Sequence, residues 1–238
     1  MRIALIGYGK VGKLIEQMAI EKGHEVVLRF TSENRNELTP ALLATADLAI
    51  EFTTPHTAYD NVAACLRAGT PVVCGSTGWN HQLAAIKAYC KEVNGCFLYA
   101  SNFSIGVNLF FEVNKQLARL MNRQPQYDTS ITEIHHTQKK DQPSGTAVTL
   151  AEQVLEEIQR KTKWLNEGLP APEDLFIRSE RLDPAPGTHH VKYSSAIDDI
   201  EIIHTAHNRE GFALGALAAA EFLCGKKGLY SMSDVLHL

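Results

Sequence analysis

The chain has 238 residues, of which 45% are hydrophobic and 21% charged, and its formal net charge at pH 7 is −4. This length and apolar content are enough to bury a core, which excludes disordered and fibrous proteins. The net charge provides no overall positive field for nucleic acid or an anionic membrane, and no apolar run approaches the roughly 20 residues of a membrane span. We therefore expect neither a nucleic-acid partner nor a membrane protein.

The first hundred residues alternate short apolar strands with helices. We predict strands at Arg2–Ile6, Glu25–Phe30, Leu48–Phe52, Pro71–Cys74 and Cys96–Ala100, and helices at Lys13–Lys22, Thr57–Ala68 and His81–Val93. Strands that alternate with helices form right-handed crossovers and a parallel sheet covered on both faces. The predicted fold class is therefore α/β, a Rossmann-type doubly wound sheet, which binds ligands at the carboxyl ends of its strands.

The second half of the chain has a different character. We predict helices at Val107–Met121, Thr146–Lys163 and Gly211–Cys224, and strands at Thr129–His135, Leu175–Arg178 and Ile200–His204. The composition changes near Asn102, where we place a domain boundary. A smaller α+β domain is expected after it.

The five cysteines are odd in number and show no C-x-x-C spacing. A disulfide framework is therefore not expected, and reduced thiols in a cytosolic protein are the better interpretation. The N-terminal segment also lacks the pattern of a secretory leader. We expect a soluble, cytoplasmic protein.

A glycine motif, G-Y-G-K-V-G, follows the first predicted strand and opens a helix. Gly7, Gly9 and Gly12 permit a tight turn and close backbone approach to a pyrophosphate, and Lys10 and Val11 lie between them. Free N–H groups at a helix N-terminus favour an anion. In this context the motif predicts a dinucleotide site rather than an ordinary glycine turn.

The second predicted strand ends without the usual acidic residue that binds the ribose hydroxyls of NAD. Arg29, Thr31 and Ser32 occupy this region, and Arg35 follows. Basic and hydroxyl groups tolerate a 2′-phosphate, so either NADPH or NADH is expected as the cofactor. The alternative is that Arg29 and Arg35 are solvated surface residues.

Two further turns follow later strands of the predicted sheet. The first contains Phe52 and Thr53, and the second contains Gly75, Ser76 and Thr77. Small residues let backbone amides approach a nicotinamide or its ribose phosphate. Either turn alone is more typical of a plain capped helix start, but their position after consecutive strands favours cofactor binding.

A run of fifteen residues, E-I-H-H-T-Q-K-K-D-Q-P-S-G-T-A, extends from Glu133 to Ala147. His135, His136 and Lys139 offer cationic or proton-donating groups, and the turn Ser144–Thr146 offers donors to an anion at a helix N-terminus. Such a pocket suits a carboxylate substrate that needs a proton. The alternatives are structural histidines, solvated lysines and a simple helix cap. A metal is not expected, because adjacent histidines on a strand point to opposite faces and no further ligand lies at suitable spacing.

Together these motifs resemble the 4-hydroxy-tetrahydrodipicolinate reductase family, also called dihydrodipicolinate reductase. The resemblance is carried by G-Y-G-K-V-G, G-S-T-G-W, A-S-N-F-S-I-G-V-N, the run just described, R-E-G-F-A-x-G-A and M-S-D-V-L. The pattern H-H-x-x-K-x-D-x-P-S-G-T is specific to that family. The resemblance implies NADPH- or NADH-dependent reduction of a small dicarboxylate, 4-hydroxy-tetrahydrodipicolinate, to tetrahydrodipicolinate in lysine and diaminopimelate biosynthesis.

The resemblance also implies a domain organisation and a set of site residues. Residues 1–101 and 209–238 would form the dinucleotide-binding domain, and residues 102–208 a substrate-binding domain whose sheet builds a homotetramer. His135 would be the acid/base residue and Lys139 the proton donor. The substrate carboxylates would be held by His136, Ser144, Gly145 and Thr146. The implied cofactor contacts are the residues of the glycine motif and the two turns above, together with Ala100, Ser101, Asn102, Phe103, Arg209 and Phe212.

Two other classes of protein share the glycine motif. Another two-domain nicotinamide dehydrogenase acting on a small carboxylate would contain it, but has no evident need for the run that begins at Glu133. A non-enzymatic nucleotide-sensing module would not need a proton-donating lysine and histidine beside an anion site.

Overall fold

The computed structural model describes all 238 residues, Met1 to Leu238, and the chain divides into two compact units. The first unit comprises Met1–Ile105 and Glu210–Leu238, and the second unit comprises Gly106–Arg209. The first division falls at the start of a helix, a few residues beyond the boundary predicted near Asn102.

Eleven strands and eight α-helices make up the fold. The strands are β1 (Arg2–Ile6), β2 (Glu25–Phe30), β3 (Leu48–Glu51), β4 (Val72–Cys74), β5 (Cys96–Tyr99), β6 (Asp128–His135), β7 (Lys163–Leu165), β8 (Asp174–Arg181), β9 (Thr188–Ser194), β10 (Asp199–Thr205) and β11 (Gly228–Tyr230). The helices are α1 (Lys10–Glu21), α2 (Pro40–Leu43), α3 (Ala58–Arg67), α4 (Leu83–Glu92), α5 (Ile105–Met121), α6 (Gly145–Glu157), α7 (Glu210–Leu223) and α8 (Met232–Leu236). None of these helices combines the length and apolar character needed to span a bilayer.

The first unit is built on a six-stranded parallel sheet in the order β11-β5-β4-β3-β1-β2. The chain places β2 on one side of β1 and then returns to place β3 on the other side. The winding direction therefore reverses between β1 and β3, which is where doubly wound sheets open a ligand crevice. The predicted Rossmann-type class is confirmed.

Residues of these parallel strands alternate between two cores on opposite faces of the sheet. Leu5 and Ile50 pack with α1 and α7 on one face, and Ile6 and Ala49 pack with α3 and α4 on the other. All four side chains are buried. A sheet buried on both faces needs continuous apolar strands, which is the pattern that makes these elements easy to predict.

The alanine-rich helix α7 is buried on most of its faces. Its small side chains allow close approach, and a Cβ added at Gly215 would lie 1.7 Å from the carbonyl oxygen of Phe103. The last part of the chain therefore fixes the position of the segment that follows β5.

The second unit contains a five-stranded mixed sheet in the order β10-β9-β6-β8-β7. The central strand β6 is antiparallel to β9 and parallel to β8. Helices α5 and α6 cover one face, where Phe110, Leu150 and Val154 pack with Ile131 and Val191. The expected smaller α+β unit is confirmed.

The helix predicted from Thr146 to Lys163 is too long. Ile158 leaves the helical conformation, with φ −99° and ψ 92°, and its side chain is fully buried in the core. The N–H of Gln159 then donates to the Asn122 side chain at 3.2 Å, and the Arg160 guanidinium donates to carbonyl oxygens that follow α5. These tertiary contacts end the helix earlier than its amphipathic pattern indicates.

Three strands, β7, β9 and β11, are missing from the sequence prediction. The most important is β9, which pairs along its length with β6 and places His189 opposite Glu133. Its buried positions, including Val191 and Tyr193, alternate with polar residues. The pattern is short and interrupted by histidines, so it gives only a weak strand signal.

Candidate active site

Two cavities lie at the carboxyl ends of the central strands of the first unit. The larger, of about 480 Å³, is lined by Ile6, Gly7, Tyr8, Gly9, Phe30, Thr31, Ser32, Arg35, Thr53, Thr54, Thr57 and Asn61. The smaller, of about 250 Å³, is lined by Gly9, Lys10, Val11, Gly12, Phe52, Thr53, Gly75, Ser76 and Thr77. Every residue that lines the smaller cavity was predicted to contact the cofactor.

The turn after β1 is shaped for close backbone approach. Gly7 has a positive φ of 98°, and a Cβ there would lie 1.9 Å from the carbonyl oxygen of Phe52. At Gly9, by contrast, a Cβ would meet no atom within 4 Å. Gly9 is the N-cap of α1, and no side chain caps this helix end. The turn therefore offers open space beside uncapped N–H groups, which fits the pyrophosphate of a dinucleotide.

The turns after β3 and β4 are joined to each other. The Thr53 N–H donates to Ser76 Oγ at 2.6 Å, and a Cβ at Gly75 would lie 2.2 Å from the Phe52 ring. The Phe52 ring also packs on Phe103, with 5.6 Å between centroids. These contacts bring three of the predicted cofactor segments into one arrangement.

Some predicted cofactor residues line neither cavity. They are Ala100, Ser101, Asn102, Phe103, Arg209 and Phe212. Phe103 is buried, whereas Arg209 is exposed and Phe212 is half-buried in the first turn of α7. The segment Ala100–Phe103 directly follows β5, and so it lies at the same edge of the sheet as the other turns.

The structure differs from the sequence interpretation of Arg29, which was expected to help accommodate a 2′-phosphate. The Arg29 guanidinium pairs with the Glu16 carboxylate, which also accepts a hydrogen bond from the Tyr8 hydroxyl. The hydrogen bond from Arg29 lowers the pKa of Glu16. Arg29 is therefore engaged in an ion pair with Glu16, and Arg35 is the basic residue that lines the cavity. No aspartate or glutamate lines it, which is compatible with both NADH and NADPH.

A second group of polar residues lies at the carboxyl end of β6 in the second unit. Glu133 is completely buried, contacts His135 Nδ1 through Oε2, and accepts a hydrogen bond of 3.0 Å from Arg181 Nη1 through Oε1. Burial acts to raise the pKa of Glu133, but hydrogen bonds from His135, Ser179 and Arg181 outweigh it and hold the pKa at about 2. The carboxylate is therefore ionised at neutral pH.

His189 of β9 joins this group and was not singled out from the sequence. Its ring lies edge-on to His135, with 5.1 Å between centroids. Burial and the neighbouring His135 lower the pKa of His189 to about 3. His189 is therefore neutral at physiological pH, and a buried neutral imidazole can serve as a hydrogen-bonding partner without adding charge.

The turn that begins α6 uses one of its predicted donors internally. Ser144 is buried, and its Oγ lies 3.0 Å from His189 Nε2 and accepts a hydrogen bond from the Ala147 N–H at 3.2 Å. Gly145 is exposed, and a Cβ there would meet no atom within 4 Å. Gly145 and Thr146 therefore present the accessible part of the turn, whereas Ser144 caps the helix.

The remaining predicted substrate residues lie on the loop after β6. His136 is half-buried, and its backbone N–H donates to the carbonyl oxygen of Ala185 at 2.8 Å. Lys139 Nζ lies 2.8 and 2.9 Å from the two carboxylate oxygens of Asp141. Burial acts to raise the pKa of Asp141, but Lys139 outweighs it and lowers that pKa. The Asp141 carboxylate therefore fixes the position of the Lys139 ammonium on this loop.

Glu133, His135 and His189 each place one potential ligand atom within 4.8 Å of the others. This spacing would suit a metal ion, but the Arg181 guanidinium forms an ion pair with Glu133, with 3.0 Å between Nη1 and Oε1. A cation at the centre of the group would be repelled by that fixed charge. The chemistry of the group favours proton transfer over metal binding.

The wild-type protein should lose stability when the pH is lowered, because His189 resists protonation in the folded state. Replacing His189 with glutamine should abolish the part of this loss that comes from His189. The folded-state pKa of about 3 lies below the ordinary value of 6.5. As pH falls below about 6.5, the unfolded chain therefore binds a proton that the folded chain does not, which costs about 2 kcal/mol of unfolding free energy by about pH 5. Denaturant titrations of the wild type and variant near neutral pH and at about pH 5 measure this difference.

The exposed His207→Gln change provides the control, because His207 lies outside the group. The His207 variant should lose stability on acidification as the wild type does. Equal losses in the wild type and the His189 variant would contradict the buried, neutral state of His189.

The parallel sheet, its glycine turn at the switch point and the buried group of Glu133, His135 and His189 in the second unit are compatible with the class of nicotinamide-dependent oxidoreductases. The chain matches the family model "Dihydrodipicolinate reductase, N-terminus" over residues 1–103 and "Dihydrodipicolinate reductase, C-terminus" over residues 106–236. The chain belongs to the dihydrodipicolinate reductase family.

Similar proteins support this membership along the whole chain. A 4-hydroxy-tetrahydrodipicolinate reductase of Christiangramia forsetii is 46% identical over 239 residues, which cover 99% of this chain and 98% of the relative. A reductase of the same name from Methanosarcina barkeri is 35% identical and covers 97% of this chain and 83% of the relative. The solved structure of a dipicolinate-bound dihydrodipicolinate reductase from Paenisporosarcina shares the fold, with a TM-score of 0.80, 21% identity and 98% coverage of both chains.

These matches confirm the expected family, its oxidoreductase activity and its use of NADH or NADPH. The roles of the individual residues stay predictions. Glu133, Arg181 and His189 were not among the predicted site residues, because they come together only through the pairing of β6 with β8 and β9.

Proposed function

We propose that this chain reduces 4-hydroxy-tetrahydrodipicolinate to tetrahydrodipicolinate with NADPH or NADH, a step of lysine and diaminopimelate biosynthesis. The observation that carries the proposal is the 46% identity, over 99% of the chain, to a reductase named for this substrate. The acid/base group around His135 supports it, because the reduction requires a proton as well as a hydride.

The first unit is assigned the cofactor. The turn at Gly7, Gly9 and Gly12 would receive the pyrophosphate, and Thr53 and Gly75 would contact the nicotinamide half. A nicotinamide bound there supplies the hydride for the conjugated ring of the substrate. The open space at Gly9 and the narrow space at Gly7 suit this assignment.

The second unit is assigned the substrate and the proton. Gly145 and Thr146 would hold a carboxylate at the N-terminus of α6, and His136 would contact the substrate from the loop after β6. Lys139 would donate the proton, and His135 would serve as the acid/base residue. Holding a dicarboxylate at fixed positions brings the reacting atoms into a productive orientation.

The decisive test is a reduction assay with freshly made substrate. Pyruvate and aspartate semialdehyde are converted by the preceding synthase, and oxidation of NADPH or NADH by the purified chain is followed by absorbance. We expect NADPH or NADH to be oxidised only when pyruvate, aspartate semialdehyde, the synthase and the purified chain are all present. Nucleotide binding without oxidation would instead support a sensing module, and oxidation only with other carboxylates would support a different dehydrogenase.

We further propose that the chain forms a homotetramer through the sheet of the second unit. Helices α5 and α6 cover only one face of that sheet. The other face carries the registered row Ile203, His190, Thr132 and Arg178, of which Ile203 is 53% exposed. Light scattering of the purified protein should give four times the mass of the chain, and a monomeric mass would contradict the proposal.

A cytoplasmic location is proposed as well. The cysteines are unpaired, and four of the five are buried. Free thiols persist in the reducing conditions of the cytoplasm, where NADH and NADPH are also available. Cell fractionation followed by immunodetection tests this location, and recovery in an exported fraction would contradict it.

A further inference from the structure

We propose that Glu133 and Arg181 act together as positioning residues for both proton-carrying side chains. Glu133 would fix the tautomer of His135, and Arg181 would hold Glu133 and the loop that carries Lys139. This inference rests on the proposed function, in which His135 and Lys139 handle the proton. Glu133 and Arg181 would act through those two residues.

The first observation is the contact between Glu133 and His135. An ionised carboxylate can only accept hydrogen bonds, so the Nδ1 that contacts Glu133 Oε2 must carry a proton. Nε2 of the neutral ring is then the nitrogen that can take up a proton, and it can release that proton again from the imidazolium form. Because a catalytic imidazole works only in one tautomer, the carboxylate partner determines whether His135 is ready to react.

The other edge of the His135 ring is kept open by Gly187. Gly187 has a φ of 154°, and a Cβ at this position would lie 3.0 Å from His135 Nε2. Any side chain at this position would crowd the reactive nitrogen. The buried ring is therefore fixed at Nδ1 by Glu133, and the glycine leaves Nε2 free of a crowding side chain from this position.

The second observation concerns Arg181 at the end of β8. Its Nη1 donates to Glu133 Oε1 at 3.0 Å, and its Nη2 donates to the backbone carbonyl oxygen of Asp141 at 2.7 Å. The carboxylate of Asp141 in turn holds Lys139 Nζ at 2.8 Å. One guanidinium therefore links the partner of His135 to the partner of Lys139. The planar, two-pronged form of arginine permits this bridge, whereas a lysine could make only one of the two contacts at a time.

The charges around His135 come from each neighbouring strand and from the loop. They are carried by Glu133 on β6, Arg181 on β8, and Lys139 and Asp141 on the loop, with neutral His189 on β9. His189 stays neutral, and the Glu133 carboxylate is paired with the Arg181 guanidinium, the His135 ring and the Ser179 hydroxyl. Any change at Glu133 is therefore transmitted to His135.

The test variant is Glu133→Gln, which keeps the size of the side chain. Arg181 requires an acceptor, so the amide oxygen of the new side chain should turn towards it and the NH₂ group should face His135 Nδ1. His135 would then be forced into the Nε2–H tautomer. We expect turnover to fall by roughly 10²-fold or more, with the KM for NADPH nearly unchanged. Nitrogen NMR of histidine-labelled protein should show the Nδ1–H form in the wild type and the Nε2–H form in the variant.

Glu180→Gln is the matched control, because Glu180 is an exposed carboxylate on the same strand as Arg181. It should preserve both turnover and the tautomer. A folded Glu133→Gln protein that keeps wild-type turnover, or loses turnover without a change of tautomer, would overturn the inference.

Arg181→Lys separates the two parts of the bridge. The lysine retains a positive charge beside Glu133 but cannot also hold the Asp141 carbonyl oxygen. We expect the Nδ1–H tautomer to persist while turnover falls, and unchanged turnover would remove Arg181 from the proposal. The NMR measurements need no substrate, so they test the arrangement at His135 even if the reductase assay itself were to fail.

Discussion

Replacing Lys139 with alanine should lower turnover in the reductase assay by about 10²- to 10⁴-fold, the range typical of a lost general acid. The KM for NADPH or NADH should change little, because Lys139 lies in the second unit and the cofactor cavities lie in the first. His135→Ala should have an effect of the same kind. Steady-state kinetics with each cofactor measure both quantities.

Lys140 supplies the matched control for this prediction. It adjoins Lys139 in sequence and is exposed, whereas Lys139 is partly buried on Asp141. Lys140→Ala should therefore retain wild-type turnover. Near wild-type turnover in folded Lys139→Ala and His135→Ala proteins would remove both residues from their proposed roles.

Replacing Gly9 with alanine should weaken cofactor binding by at least about tenfold while the protein remains folded. The added methyl group would meet no protein atom within 4 Å, but Gly9 lines both cavities of the first unit. The methyl group would therefore occupy space needed by the pyrophosphate. The change from glycine to alanine at an N-cap costs at most about 1 kcal/mol of stability. Fluorescence titration with NADH and thermal unfolding measure the two effects.

Gly7→Ala provides the contrasting variant. Its methyl group would lie 1.9 Å from the carbonyl oxygen of Phe52, at a backbone φ of 98°. That change should lower the melting temperature strongly, because the backbone itself would have to move. Unchanged cofactor affinity in Gly9→Ala would argue against pyrophosphate binding at this turn.

Much of the first unit could be predicted because its strands are buried on both faces. Continuous apolar runs such as the one ending at Ile6, followed by a glycine turn, give a strong local signal. In the second unit the strand β9 carries polar residues on its open face, and pairing with β6 specifies it more than its own sequence does. The early end of α6 at Ile158 likewise depends on tertiary contacts.

The same distinction applies to the candidate sites. The cofactor turns could be found because each is contiguous in sequence and follows a predicted strand. Arg181 lies 48 residues from Glu133, and His189 lies 45 residues from Ser144, so only the register of the sheet reveals these pairs. Ser144 lies in a contiguous motif and was predicted to bind the substrate, but its hydroxyl contacts His189 and caps α6. A sequence motif does not show which polar groups of a turn are already hydrogen-bonded within the protein.

The close packing of α7 against the segment after β5 has a consequence for the order of folding during synthesis. The first unit needs α7 in its core and β11 at its edge, yet both belong to Glu210–Leu238, which follows the second unit in sequence. The whole of the second unit emerges from the ribosome before them. Until α7 and β11 have been synthesised, the nascent chain therefore carries an incomplete nucleotide-binding sheet, with part of one apolar face uncovered.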